Sequence, residues 1–172
     1  ESGLVGFWRM DAASGTSQPD LSTAGATGTY VNALTLNQAG AIVDGNASAL
    51  FISNGTGAGD TGSYMTATVT APGTTWSIEC WVKRAAAPDS VREAIGITPL
   101  ELFVSNSSGD AFIVYNGSAL VTGTAVVDDA KWHHIVIVSS NADSNLKLYV
   151  DGVQDGTTAG AALNLTGTVF NI

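Results

Sequence analysis

Cysteine, proline and basic residues are all scarce in this chain of 172 residues, and each scarcity excludes something. The single cysteine, Cys80, rules out an intramolecular disulfide and a cysteine-built metal site. Standing between Glu79 and Trp81 in an alternating segment, it reads as a buried, inert thiol. Only six basic residues (Arg9, Lys83, Arg84, Arg92, Lys131 and Lys147) are scattered among 15 acidic ones, for a net charge of −9. Nucleic-acid binding needs clustered Lys and Arg to neutralise phosphates, so that partner is not expected, nor is an anionic membrane surface. The acidity reads as solubility through self-repulsion. No apolar run approaches the roughly 18 residues of a membrane span, so membrane insertion is not expected either. The opening ESGLVGFW has no basic region and no initiator Met, which suggests a processed protein or a module of a longer chain.

What the chain does have is 45% apolar residues and 20 glycines, with abundant Thr, Ser, Ala and Val. That composition excludes disorder and fits many short strands joined by tight turns. The length suits one domain over residues 1–172. The most informative stretch is 128–156, DDAKWHHIVIVSSNADSNLKLYVDGVQDG. KWHHIVIV alternates and is β-branched, SSNADSN is a polar loop, and LKLYV is a second strand. In LKLYV, Leu146, Leu148 and Val150 share one face, with Lys147 and Tyr149 on the other. Asp151-Gly152 is a strong hairpin signal, because both central residues of a type I′ turn need φ > 0. The strands are therefore antiparallel.

Along the rest of the chain, residues 4–10 alternate as a first strand, and 11–32 form a long polar, Gly-rich loop. Short apolar runs at 41–44 and 49–52 flank Gly45-Asn46. Residues 65–69 are a strand, and 76–83 (WSIECWVK) another, with Trp76, Ile78, Cys80 and Val82 on one face and Ser77, Glu79, Trp81 and Lys83 on the other. Residues 90–97 contain acceptable helix formers, but the surrounding segments are strands and a strand is expected there too. Strands at 100–105, 111–115 and 119–127 follow, then a loop-like stretch at 156–166 and a last strand within 167–172. Turns recur about every ten residues, the pattern of a sandwich. Trp76 and Trp132, each opening an alternating strand, read as core residues.

Three segments resemble one known family in the expected order. These are GLVGFWRMD at 3–11, WSIECWVK at 76–83, and Trp132-His-His followed by LKLYVDG. They are similar to the laminin G-like, concanavalin A-like lectin and glucanase jelly rolls. The resemblance implies an all-β fold, a two-sheet antiparallel jelly-roll sandwich. It also implies one further closing strand after Ile172, supplied by later residues or by a neighbouring subunit, because an open sheet edge is otherwise left exposed; the alternative is that one of the chain's own loops, such as 11–32, caps that edge. Membership of a larger chain or a homo-oligomer is expected on the same ground.

Function has to be read from a site. The glucanases of the resembling family carry Glu-x-Asp-x-x-Glu on one strand, and glycoside hydrolysis needs two facing carboxylates. No such cluster occurs here, so no enzyme is expected. His133 and His134 are strand neighbours that point to opposite faces and cannot ligate one ion together. The resembling family often holds calcium at a loop rim, which makes Asp20, Asn54 and Asp60 the candidate oxygen ligands. Asn46, Asn54, Asn106, Asn116 and Asn164 match the glycosylation sequon, which matters only in a eukaryotic secretory pathway. The expected function is a non-catalytic recognition module for a glycan or a protein surface, with Glu79, Trp81 and Lys83 as the ligand-binding face. Trp81 either offers its ring to a sugar or merely fills a sandwich layer. The alternative is a structural or decoration domain of a virion, filament or cell-surface assembly. Either role places the protein outside the cell or on a virion or cell surface.

Overall fold

Alternation and tight turns govern the whole chain, and in the computed structural model every regular element is a strand. The structure describes residues 3–42, 45–52, 62–84, 92–105, 111–159 and 162–172. Fourteen strands are found among them, with no helix and therefore no helix long and apolar enough to cross a membrane. They fall into two compact units, residues 1–70 with 168–172, and residues 71–167.

The first unit contains β1 (Ser17–Gln18), β2 (Gly28–Val31), β3 (Thr35–Ala39), β4 (Ala47–Leu50), β5 (Tyr64–Thr68) and β14 (Val169–Asn171). β1, β2, β5 and β14 pair antiparallel in that order, while β3 and β4 form a separate hairpin. Met65, Ala67, Tyr30 and Phe170 are buried here, and Trp8 stacks on Phe170 with ring centroids 5.3 Å apart. The buried Gln18 side chain is satisfied by Tyr30 Oη, Ala12 N–H and Asp11, as a buried amide must be.

Two expectations fail in this unit. Residues 4–10 alternate like a strand but form none. The Phe7 N–H donates to Asp20 Oδ1 and the Phe7 carbonyl accepts from Leu21 N–H, so its backbone groups are spent on a loop instead of a ladder. The stretch 11–32 is not one loop, since Ser17–Gln18 and Gly28–Val31 pair within it. Their polar and glycine content hid them, because only Gln18 and Tyr30 supply inward bulk.

The second unit is a sandwich. One sheet runs β7 (Arg92–Ile97), β8 (Leu100–Ser105), β9 (Ala111–Tyr115), β10 (Ala119–Thr122), all antiparallel neighbours. The other runs β13 (Val153–Ala159), β12 (Asn145–Val150), β11 (Trp132–Ser140), β6 (Trp76–Lys83). Ile95, Leu102, Phe112 and Val114 from the first face Ile135, Ile137, Leu146 and Leu148 from the second in a closed apolar core. The Asp151-Gly152 turn has φ of 51° and 79°, as the hairpin requires. Both face assignments made from sequence hold: residues 146, 148 and 150 are buried, and residues 77, 79, 81 and 83 are exposed.

The ends of β10 and β13 and one burial assignment differ. β10 stops at Thr122: Gly123 N–H still bonds the Phe112 carbonyl, but the next two N–H groups go to Asp155. β13 runs to Ala159, where a loop was expected, because its small residues continue the ladder with β12 past a bulge. Trp132 is not core. In β11 the buried positions are His133, Ile135, Ile137 and Ser139, and parity puts Trp132 on the half-buried outer face with His134.

Candidate functional site

β6 and β11 pair over their full lengths, with Trp81 opposite His134, Glu79 opposite Val136 and Lys83 opposite Trp132. All six side chains lie on the outer face of the sheet. The three residues singled out in the sequence, Glu79, Trp81 and Lys83, are thus brought together with a fourth, His134. Trp81 is 45% exposed, so it does not fill a layer of the sandwich. Its ring centroid lies 5.0 Å from that of His134 at 33°, and His134 Nε2 lies 2.8 Å from Glu79 Oε1. The Glu79 side chain is 67% exposed. The result is a flat indole next to an imidazole, with a solvent-facing carboxylate and an ammonium on the same strand. An aromatic face of this kind stacks on apolar C–H surface, while the carboxylate accepts from hydroxyls and the ammonium donates.

His134 was not found from sequence as part of this group. Its neighbourhood depends on β11 lying next to β6, a pairing between residues far apart in the chain.

On the inner side of the same strand, His133 is buried and sits between two carboxylates. Nδ1 is 2.8 Å from Asp151 Oδ2, and Nε2 is 3.0 Å from Asp129 Oδ1. Carboxylates accept, so this cradle favours the protonated ring, in which both nitrogens donate. Burial alone would lower the His133 pKa, but the bonds and charges of Asp151 and Asp129 outweigh it and raise it. The two histidines point to opposite faces, as their adjacency demands.

Of the residues proposed for calcium, only Asp20 lies among the described residues. Asp20 Oδ1 accepts from Phe7 N–H and Ser22 N–H, and Oδ2 accepts from Ser22 Oγ–H and Ala26 N–H. Four donors fill the acceptor positions of one carboxylate, so Asp20 braces its loop in this arrangement and does not fit as an ion ligand. Its burial would raise its pKa, but the bonds from Ser22, Phe7 and Ala26 lower it. Asn54 and Asp60 lie outside the described residues. Among the described residues no three His, Cys, Asp or Glu side chains converge as a metal site. Cys80 faces inward opposite Ile135, and burial with the nearby Glu79 charge pushes its thiol up to about 12. That is an inert thiol, as read from the sequence. A cleft of about 220 Å³ in the first unit, lined by Thr16, Tyr30, Asn32 and Leu36, contains no carboxylate, imidazole or ammonium.

A laminin G family model, described as the concanavalin A-like lectin/glucanases superfamily, matches residues 54–172. The chain belongs to this superfamily. Solved structures share the fold at low identity. The binding domain of botulinum neurotoxin DC in complex with SialylT superposes with a TM-score of 0.58 at 13% identity, over 90% of this chain and 40% of that one. A mutant of HCR/D superposes at 0.60 and 12% identity, over 98% of this chain and 42% of that one. The chain thus spans about two fifths of the length of these structures. A comparison with curated protein sequences finds no match.

Proposed function

We propose that the outer face of β6 and β11 is a non-catalytic glycan-recognition surface. The observation that carries this reading is the exposed Trp81 indole, flanked by His134 and Glu79 on a rigid ladder. A pyranose presents one apolar C–H face and a rim of hydroxyls. Trp81 meets the first, and Glu79 and Lys83 bond the second. Burying an exposed indole against a sugar costs little ordering, because both partners are already stiff. Superfamily membership and the SialylT complex of the neurotoxin domain accord with this reading. Such a module works outside the cell or on a cell or virion surface.

The same geometry argues against hydrolysis. A retaining glycosidase needs a second carboxylate about 5–5.5 Å from the first. Across the ladder Glu79 faces Val136, which in turn faces Tyr149, and neither is an acid. Binding to a panel of neutral and sialylated glycans should be detected with the wild type and lost with Trp81→Ala. Incubation with laminarin, lichenan and agarose should release no reducing ends. Activity that disappears in Glu79→Gln would overturn the non-catalytic reading.

A further inference from the structure

β6 is the last strand of its sheet. β11 covers one side of it, and among the described residues no strand pairs with the other. The ladder shows which backbone groups are left open. Asp151 N–H donates to the His134 carbonyl at 2.8 Å, so His134 turns its backbone groups toward β12. Successive residues of a strand turn theirs to opposite sides. His133, Ile135, Ile137 and Ser139 therefore face β6, and their partners Val82, Cys80, Ile78 and Trp76 face back. The N–H and C=O groups of Ser77, Glu79, Trp81 and Lys83 point along the open edge. An eight-residue edge carrying an exposed tryptophan is a template for another strand.

We infer that this edge pairs with the same edge of a second copy of the chain, antiparallel and two-fold symmetric about Trp81. Charge complementarity sets this register. With the axis at Trp81, Glu79 of each copy stands opposite Lys83 of the other, and the two Trp81 side chains stand opposite each other. With the axis at Glu79, two carboxylates would meet and Lys83 would face Thr75. With the axis at Cys80, Trp81 would face Glu79 and no ion pair would form. Only the Trp81 register gives two opposite-charge cross-strand pairs and an aromatic pair on one face. The Glu79 side chain stays two-thirds exposed while it contacts His134, so it is available to the second copy. A two-fold contact uses the same patch on both subunits and closes at two, giving a dimer and no filament. The two four-stranded sheets become one of eight strands, with both Trp81 rings on its outer face. This dimer does not depend on sugar binding.

The experiment is sedimentation equilibrium of the 172-residue chain over a concentration series, read as mass and paired with circular dichroism to confirm folding. The wild type should reach twice 17.5 kDa and dissociate on dilution. Glu79→Lys alone and Lys83→Glu alone each set like charges opposite one another twice, and should shift the protein to monomer. The double variant carrying both changes restores opposite charges across the axis and should recover the dimer. A wild type that is monomeric at every concentration overturns the proposal. So does a dimer indifferent to the single reversals, or one that the double variant fails to recover.

Discussion

Asp151 Oδ2 lies 2.8 Å from Nδ1 of His133, while Oδ1 of the same carboxylate accepts the His134 N–H at 2.9 Å. The residue that opens the β12–β13 turn thus ties that turn to both histidines of β11. On the far side of the His133 ring, Asp129 bonds Nε2 and also Lys131 Nζ. A hairpin tip and the turn entering β11 are both held through one buried ring.

That clamp makes stability depend on pH, and the sign can be worked out. His133 is raised above its ordinary 6.5, so its contribution is fully present below 6.5 and is lost as pH rises through the raised value. Asp129 is lowered by the bonds from Lys131 and then His133. Asp151 is lowered because the His134 N–H and His133 outweigh its burial. The contribution of both is present above 3.8 and is lost as pH falls through their lowered values. Urea midpoints should therefore be highest in mildly acidic solution and decline on both sides. His133→Gln should lower the plateau and flatten the alkaline limb. An alkaline limb unchanged in that variant would remove His133 as its cause.

The four tryptophans separate into different roles. Trp76 is buried, and its indole N–H donates to the Leu163 carbonyl at 2.8 Å. Trp76→Ala should cost about 3–5 kcal/mol, since it removes a large core side chain and the shorter of two hydrogen bonds to the Leu163 carbonyl. Trp132→Ala, on the half-buried outer face, should cost clearly less. Equal losses of thermal midpoint in the two variants would refute this ordering.

Asp20→Ala removes the acceptor for four donors from Phe7, Ser22 and Ala26. A loss of about 1–3 kcal/mol is expected, with glycan binding intact in the folded fraction. Asn can accept at only one oxygen, so Asp20→Asn should fall in between. Chemical denaturation of the three proteins gives the ranking, and a neutral Asp20→Ala would contradict the bracing role.

The legible parts of the sequence were those where one local rule dominates. WSIECWVK alternates over eight residues, and its faces come out as read. Asp151-Gly152 needs positive φ at both positions, and few other structures accommodate that pair. The illegible parts turned on partners distant in the chain. Nothing local says that Asp20 will take the Phe7 N–H, so residues 4–10 read as a strand. Gly28–Val31 is short, and only its pairing with β1 and β5 makes it a strand. Trp132 was assigned to the core because it opens an alternating strand beside β-branched residues, when the parity of Ile135 and Ile137 puts it outside. At the candidate site, Glu79, Trp81 and Lys83 share a face by strand period alone. His134 joins them only through the β6–β11 register.

The Trp81 ring is the centre of the proposed glycan-binding face, and one measurement addresses it directly. Calorimetric titration with the strongest ligand of the glycan panel compares wild type with Trp81→Ala, alongside each protein's thermal midpoint. Loss of a stacking face should weaken affinity about tenfold or more, the equivalent of ~1.4 kcal/mol. Measured at a dilution where the chain is monomeric, the midpoint should hardly move, because the side chain is 45% exposed. Unchanged affinity in Trp81→Ala, with the fold intact, would contradict the assignment of this face as the glycan-binding surface.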